Sequence, residues 1–392
     1  MRTAGQRTAE DLAEQSAAER SGSPAAAGVA AIRPEVRAIR AYRLPAPEGA
    51  ARLHQNEAPG DWPEAIKREV AERLVALPWH HYPSAVRGDA VAEAIGGMQG
   101  TPAAMVAPTA GSNEALRAVF AATASGGVVV MPTPTFSLTK TLAMATGARV
   151  VEVPLGRDFA LDPDAVLSAA HAHRAAAVYL ASPNNPTANL FDRGAIIAVL
   201  DGAPGAVVID EAYWEFTRES HLETVHRYGH LLLTRTFSKA MAGAGLRIGW
   251  ITAQAPLIAE IAKISPPYSL NLAAQVAAPI LIAHRDVAVG RVRTVVAERG
   301  RVASALQRLG LRVYPSETNF ILFDSGGRPH DVWQRLAERG VLIRDVSSAP
   351  QLQACLRVSV GSPEDNDRFL AAIAAIATDG HQGARAAPGA GS

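Results

Sequence analysis

Apolar residues between positions 126 and 252 come in short runs, and most of these runs do not alternate with polar residues. Uniformly apolar runs are typical of strands that helices cover on both faces. They predict strands at 126–131, 149–153, 176–181, 206–209, 231–236 and 247–252. Helical patterns fall between them, for example at 114–123, 162–173 and 192–200. This alternation predicts an α/β domain with a largely parallel sheet over about 80–285.

The pattern changes after position 285. It predicts an arginine-rich helix over about 285–309, followed by a strand at 320–323, a helix at 331–339 and a strand at 356–360. We interpret 286–378 as a smaller α+β domain, which 31–79 joins as an N-terminal arm and part of that domain. Residues 1–30 and 379–392 are predicted to be disordered tails, because they lack an apolar core run or are rich in glycine and alanine.

The charge balance narrows the range of partners. The chain has 392 residues, of which 38 are basic and 37 acidic, for a net charge of +1. Such a balance gives no reason to expect nucleic acid or an anionic membrane as a partner. No apolar run reaches the roughly 18 residues of a membrane span, and no signal peptide is recognised in 1–30.

The numbers and positions of cysteine and histidine argue against disulfide bonds and metal sites. The one cysteine, Cys355, excludes a disulfide framework and a cysteine metal cluster, which suits a reducing compartment, so we expect a cytoplasmic protein. The histidines are scattered without the acidic or cysteine partners of a metal site, so no metal is predicted. Only four of the 38 basic residues are lysines, so each can be considered individually: Lys67, Lys140, Lys239 and Lys263.

Polar segments follow several predicted strands. Ser-Pro-Asn-Asn-Pro-Thr occupies 182–187, Asp-Glu-Ala-Tyr occupies 210–213 and Phe-Ser-Lys occupies 237–239. Because ligands in an open α/β sheet sit beyond the carboxyl ends of the strands, these segments are candidates for one site. Upstream, Gly111 and Ser112 open a predicted helix whose first N–H groups would suit a phosphate.

Each of these features has an ordinary structural explanation when it is taken alone. Asp210 resembles a turn residue, Lys239 a surface lysine and Ser112 a helix cap. Together, however, a carboxylate, a phenol, an amide, a lysine and an arginine would converge beside a helix N-terminus. Pyridoxal 5′-phosphate (PLP) uses that set. Its aldehyde needs an amine, its ring nitrogen a carboxylate and its phosphate a helix N-terminus with hydroxyls and a guanidinium.

The segments 182–187, 210–213 and 236–249 closely resemble the signatures of fold-type-I PLP-dependent aminotransferases. Within that group the chain is most similar to the histidinol-phosphate aminotransferases, through segments at 32–42, 53–59, 81–83, 340–345 and 355–361. The resemblance implies an α/β fold with a mixed, mostly parallel seven-stranded sheet sandwiched by helices and a smaller α+β domain. It implies that histidinol phosphate and 2-oxoglutarate react to give imidazole-acetol phosphate and glutamate, in histidine biosynthesis.

The resemblance also implies roles for residues at matching positions. Lys239 would bind the cofactor covalently and shuttle the proton, and Asp210 would pair with the pyridinium nitrogen. Tyr213 and Asn185 would bond the ring phenolate, while Phe136 would lie against the ring. The phosphate would be held by Ser112, Asn113, Thr236, Ser238 and Arg247.

Two further implications concern the second subunit and the substrates. Tyr82 matches a tyrosine that reaches the cofactor phosphate of the other subunit, which implies a homodimer with shared active sites. Arg357 matches an arginine that grips a substrate carboxylate, and we take Arg344 and Tyr42 as further substrate-binding candidates. The small-molecule partners would be an amino donor and a 2-oxo acid.

Two enzyme alternatives share this constellation, an aromatic or broad-range aminotransferase and a threonine-phosphate decarboxylase. A PLP-binding transcription regulator would need a basic helix-turn-helix module, which residues 1–30 cannot supply. The chain departs from the family at Ala188, where Asn-Pro-Thr is usually followed by glycine. If this position takes a positive φ, alanine costs about 1 kcal/mol there.

Overall fold

A computed structural model describes residues 28–39, 50–217 and 219–385. The chain divides into two compact units, residues 1–48 and 49–392. In the first unit, residues 28–30 are helical and helix α1 (Pro34–Arg37) begins at a proline, whose fixed φ suits a first helical turn. Of the tail predicted at 1–30, residues 1–27 lie outside the described residues.

The second unit contains a seven-stranded sheet and two smaller ones. The strands are β1 (Ala51–Arg52), β2 (Val106–Thr109), β3 (Val128–Thr133), β4 (Arg149–Pro154), β5 (Ala177–Ala181), β6 (Ala206–Asp210), β7 (Leu231–Thr236), β8 (Gly249–Thr252), β9 (Phe320–Asp324), β10 (Val341–Leu342), β11 (Arg344–Asp345) and β12 (Cys355–Ser359). The large sheet has the order β2-β8-β7-β6-β5-β3-β4. All neighbouring pairs are parallel except those of β8, which is antiparallel to β7 and β2. The predicted mixed, mostly parallel sheet is confirmed.

Helices cover both faces of this sheet. The helices of the second unit are α2 (Glu64–Val75), α3 (Ala85–Gln99), α4 (Ser112–Ala124), α5 (Ser137–Ala145), α6 (Pro163–Ala172), α7 (Arg193–Gly202), α8 (Ala255–Ala262), α9 (Leu272–Ala283), α10 (Arg285–Arg308), α11 (Pro329–Glu338) and α12 (Pro363–Arg385). Val208 and Leu232 pack with α4 and α8 on one face, whereas Val207 and Leu231 pack with α6 and α7 on the other. Both faces of the sheet are therefore buried, which explains why the strands are unbroken apolar runs in the sequence.

Strand β2 is absent from the strands that the sequence pattern predicts. It contains Pro108 and only four residues, so it lacks the apolar run of its neighbours. β2 lies at an edge of the sheet, where a residue without an N–H removes no ladder hydrogen bond on the open side. The edge position thus accommodates a proline that would argue against a central strand.

The smaller sheets use the C-terminal part of the chain. β12 is paired with β9 and β11, both antiparallel, while β1 runs parallel to β10. Their apolar residues form a separate core with α10, α11 and α12. The domain boundaries at 79/80 and 285/286 stay predictions. Helix α12 continues to Arg385, past the tail boundary predicted at 379.

Among the described residues, no single helix is long and apolar enough to cross a membrane. The consecutive helices α9 and α10 satisfy length and composition only as a pair, and they are bent by 74° at the break between them.

Candidate active site

Several segments with predicted site residues meet at one edge of the large sheet. β5, β6 and β7 are parallel, so the segments that follow them begin side by side. Asp210 is the last residue of β6, and Lys239 lies in the turn after β7. β8 runs the opposite way, so its first residue, Gly249, lies beside Thr236 at the same edge. The strand order therefore gathers residues that are far apart in the sequence.

Lys239 lies in a partly buried position after β7. Its Nζ donates a hydrogen bond to the Gln55 carbonyl at 3.0 Å and lies 5.7 Å from the centre of the Tyr213 ring. Burial, reinforced by the charge of Arg357, lowers the pKa of this amine to about 8. Because desolvation disfavours the charged form of a lysine, about a tenth of the amine is neutral at pH 7 and can act as a nucleophile.

Asp210 is buried at the end of β6. Its Oδ2 accepts a hydrogen bond from the Tyr179 hydroxyl at 3.1 Å, and its Oδ1 accepts one from the Ala212 N–H at 3.1 Å. Burial raises the pKa of the carboxyl to about 6, although both donors favour the ionised form. The group is thus mostly a carboxylate at pH 7, which suits pairing with a cationic ring nitrogen.

Tyr213 is buried between residues from distant segments. Its hydroxyl oxygen accepts hydrogen bonds from Asn56 Nδ2 at 2.9 Å and from Asn185 Nδ2 at 3.4 Å. Its ring meets Phe320 edge to face, with 5.2 Å between the ring centres. These contacts fix the phenol near the Lys239 amine.

The start of α4 forms a polar cradle. Gly111 precedes the helix with a φ of +89°, and a Cβ at this position would collide with the guanidinium of Arg247. A Cβ on Gly249 would collide with the backbone N of Ser112. Both glycines are needed for this close approach. The first N–H groups of a helix lack intrahelical acceptors, so a guanidinium beside them makes an anion site.

Two hydroxyls extend this cradle. Those of Thr236 and Ser238 lie 2.9 Å apart, and Ser238 Oγ accepts a hydrogen bond from Arg247 Nη1 at 3.3 Å. Arg247 is exposed and has a left-handed backbone with a φ of +56°. Its Nη1 also donates to the Ala244 carbonyl at 2.9 Å, which holds the guanidinium at the cradle. Asn113 lies in the first turn of α4.

Arg357 connects the small antiparallel sheet to the site. From β12 its Nη1 donates to Asn185 Oδ1 at 2.6 Å, and its Nη2 donates to the His54 carbonyl at 2.7 Å. Arg344 on β11 is paired directly with Arg357, so both side chains leave the same face of this sheet. The predicted substrate arginines are therefore neighbours.

Comparison with known proteins agrees with this geometry. The model of the family "Aminotransferase class I and II" matches residues 50–373. The chain belongs to this family. The histidinol-phosphate aminotransferase of Chlorobaculum tepidum is 35% identical over 343 residues, which cover 86% of this chain and 98% of that protein. That of Thermococcus kodakarensis is 37% identical over 342 residues, which cover 87% and 97%.

Solved structures support the fold of this aminotransferase. The crystal structure of histidinol-phosphate aminotransferase from Sinorhizobium meliloti in complex with pyridoxal 5′-phosphate matches with a TM-score of 0.80. The match covers 89% of this chain and 98% of that one at 24% sequence identity. The predicted fold-type-I architecture is confirmed.

The site of this aminotransferase fits PLP. Lys239 offers an amine of lowered pKa, and Asp210 offers a buried carboxylate. Arg247 and β8 approach the start of α4 this closely only because residues 111 and 249 lack a Cβ. An amine, a carboxylate and an anion cradle at one sheet edge match the aldehyde, ring nitrogen and phosphate of the cofactor.

The roles of three further predicted site residues stay predictions. Phe136 directly precedes α5 and is half-buried, and its stacking on the cofactor ring stays a prediction. Tyr82 is 78% exposed and stacks on Tyr268 with 4.7 Å between the ring centres. Tyr42 lies outside the described residues.

Other residues of the site were not predicted. Tyr179 stands within the apolar run of β5, where a core role is the ordinary expectation. Asn56 and Gln55 lie in the segment 53–59, which carries part of the family resemblance but from which no role for these two residues follows. Asn56 has a φ of +54°, and its backbone N–H donates to Ser359 Oγ at 2.8 Å. The one signal in the sequence is that Gln55 and Asn56 lie in a polar stretch, between His54 and Glu57.

Position 188, where alanine replaces the usual glycine, has the positive φ on which the predicted energetic cost of alanine depends. Ala188 has a φ of +68° and is fully buried. Its N–H donates to the Asn184 carbonyl at 3.0 Å, and its carbonyl accepts from the Glu317 N–H at 2.8 Å. The loop that presents Asn185 is thus held from both sides despite the strained alanine.

Proposed function

We propose that this aminotransferase transfers the amino group of histidinol phosphate to 2-oxoglutarate, giving imidazole-acetol phosphate and L-glutamate in histidine biosynthesis. The observation that carries the proposal is the pair of neighbouring arginines at the PLP site, with Arg357 bonded to Asn185. Identity of 35% and 37% to proteins named histidinol-phosphate aminotransferase, over most of each chain, supports the same substrate.

The substrates explain why arginine suits this pocket. Histidinol phosphate carries an amine, an imidazole and a phosphate but no carboxylate, whereas 2-oxoglutarate carries two carboxylates. One pocket must accept both molecules in turn. A guanidinium binds either anion with two parallel hydrogen bonds, so Arg357 and Arg344 can serve both half-reactions.

The site residues have separate roles in the reaction. When bound, PLP supplies an electrophilic aldehyde and a protonated ring that stabilises negative charge on the substrate carbon. Lys239 Nζ accepts a proton from that carbon and later returns one, since its lowered pKa leaves the amine partly neutral. Asp210 keeps the ring nitrogen protonated, while Tyr213 and Asn185 orient the ring oxygen.

A homodimer with shared active sites is part of this proposal. Trp79, Tyr82 and Tyr268 are large aromatic side chains with 68%, 78% and 54% of their surface exposed. Aromatic surface of this kind is characteristic of association sites. We propose that Tyr82 reaches the cofactor phosphate bound by a second copy of this chain. A cytoplasmic location also stays a proposal, supported by the buried, unpaired Cys355.

A panel of amino donors tests the substrate. The PLP-loaded protein is mixed with histidinol phosphate, phenylalanine, tyrosine or threonine phosphate, and conversion to the pyridoxamine form is followed by absorbance. Histidinol phosphate should react with the highest kcat/KM. Faster conversion by phenylalanine or tyrosine would indicate an aromatic aminotransferase, and release of carbon dioxide from threonine phosphate would indicate the decarboxylase.

A further inference from the structure

A buried ion pair lies behind the cofactor residues, on the opposite face of the large sheet. Alternation along β6 and β7 places Asp210 with Val208 on the α4 and α8 side. Arg235 follows Leu231 and Leu233 on the α6 and α7 side. Glu211, the residue after Asp210, meets Arg235 there. The pair therefore joins the end of β6, which carries Asp210, to the end of β7, which precedes Lys239.

The two side chains are closely bonded. Arg235 Nε donates to Glu211 Oε2 at 2.9 Å and Nη2 donates to the same oxygen at 2.7 Å, with 1% of each side chain exposed. Arg235 Nη1 also donates to Gln99 Oε1 at 3.3 Å. The guanidinium lies 4.1 Å from the ring centre of Trp214, the residue next to Tyr213.

Glu211 is held by further donors. Its Oε1 accepts from the backbone N–H of His221 at 2.6 Å, and its Oε2 accepts from Ser220 Oγ at 3.1 Å. Arg235 Nη2 reaches the same Ser220 Oγ at 2.6 Å. These hydrogen bonds compensate for the burial of a carboxylate and a guanidinium away from water.

We propose that Arg235 and Glu211 are positioning residues for PLP, which hold the ends of β6 and β7 together and cancel each other's charge behind Asp210. The inference rests on the proposed use of PLP at this site and not on the identity of the amino donor. Neither residue touches the cofactor face of the sheet, so each acts through Asp210 and through the turn that carries Tyr213.

Removal of either charge should shift the pKa values in the site in a definite direction. Without Arg235, the Glu211 carboxylate would act alone on the buried site and favour protonated or cationic forms of the groups in it. Without the Glu211 charge, Arg235 would act alone and favour the deprotonated forms. Because screening by solvent is weak at such depth, either change should shift the pKa values of the ionisable groups in the site by about one unit.

Other titratable groups face the pair among the described residues. Burial raises the pKa of Glu215 to about 8, with Arg235 opposing this and Glu211 adding to it. Burial lowers the pKa of His221, with Glu211 opposing this. Both groups are therefore mainly neutral at pH 7. Asp210, with Tyr179, is the ionised neighbour on the cofactor side.

The test measures the pH midpoint of the visible absorbance change of bound PLP. Arg235→Met should raise this midpoint by about one pH unit, and Glu211→Gln should lower it by a similar amount. The double variant Arg235→Met/Glu211→Gln should return near the wild-type value. Arg235→Lys keeps the charge while losing hydrogen bonds, so its midpoint should stay closer to wild type than that of Arg235→Met.

Gln99→Met is the matched control, since it removes a hydrogen bond of the same network without removing a charge. A purely structural pair would give shifts of the same sign in both single variants, or none, and that result would overturn the inference. If Arg235→Met does not fold, the direction of the Glu211→Gln shift and the midpoint of the double variant still decide. Failure of the wild-type chain to bind PLP would refute the proposed function instead.

Discussion

The Tyr179 hydroxyl donates a 3.1 Å hydrogen bond to Asp210 Oδ2 from the strand beside β6. This bond favours the carboxylate, so Tyr179→Phe should raise the pKa of Asp210 above its value of about 6. Since transamination needs Asp210 ionised, the acidic limb of the kcat/KM profile should move to higher pH by about one unit. Steady-state kinetics between pH 5 and 9 measure this shift. That range brackets the pKa of Asp210, about 6, and the pKa of Lys239, about 8.

Tyr228→Phe is the control for this substitution, because the Tyr228 hydroxyl bonds to Asp201 at 2.6 Å instead. Its acidic limb should match that of the wild-type enzyme. An unchanged limb in Tyr179→Phe, with Tyr179→Phe still binding PLP, would show that this hydroxyl does not set the ionisation of Asp210.

The Lys239 amine should form the covalent link to PLP. Reduction of the loaded protein with borohydride should trap the cofactor on Lys239, and Lys239→Ala should lose all trapping. Lys263→Ala should trap as the wild type does, since Lys263 is exposed and paired with Glu260 at 2.6 Å. Mass spectrometry of the reduced proteins detects the adduct, and trapping retained in Lys239→Ala would refute the assignment.

Arg357→Lys should weaken binding of 2-oxoglutarate. Lysine keeps the charge but cannot make the two parallel hydrogen bonds of a guanidinium, so KM for 2-oxoglutarate should rise roughly 10- to 100-fold. Arg344→Lys provides the comparison from the paired strand. If KM rises in Arg344→Lys and not in Arg357→Lys, Arg344 and not Arg357 binds the carboxylate of 2-oxoglutarate.

The left-handed, buried Ala188 should tolerate glycine better than any larger residue. Ala188→Gly removes about 1 kcal/mol of strain but loses a buried methyl group worth about 0.8 kcal/mol, so the free energy of unfolding should change by less than about 1 kcal/mol. Ala188→Val adds volume and a β-branch at a positive φ, which should cost about 2 kcal/mol or more. Urea unfolding measures both, and a valine variant as stable as wild type would contradict this reading of the loop.

Mixing two inactive variants tests the proposed dimer. A Tyr82→Ala subunit and a Lys239→Ala subunit each lack one part of a shared site, so a mixed dimer regains one complete site. Activity should therefore appear when the two variants are mixed under conditions that exchange subunits, and not when either is assayed alone. Exchange without recovery would show that Tyr82 acts within its own chain or not at all.

The sequence by itself determined the fold class and the groups that we propose to hold the cofactor. Strands buried on both faces must be apolar throughout, so β3 to β8 could be predicted from the chain with shifts of only one or two residues at most ends. Lys239, Asp210 and Tyr213 follow such strands, where an open sheet brings its ligand residues together. Both features can be predicted from the sequence because an apolar run, and a polar residue directly after it, are patterns of neighbouring positions.

Only the tertiary structure decided how distant side chains meet. Asn56 bonds to Tyr213 across 157 positions, Tyr179 to Asp210 across 31 and Arg235 to Glu211 across 24. The order of the strands and the face on which each side chain lies determine these contacts, and no local pattern records either. The edge strand β2 and the positive φ of Ala188 depend on context in the same way. Sequence thus named the chemical groups, and packing decided their pKa values and their partners.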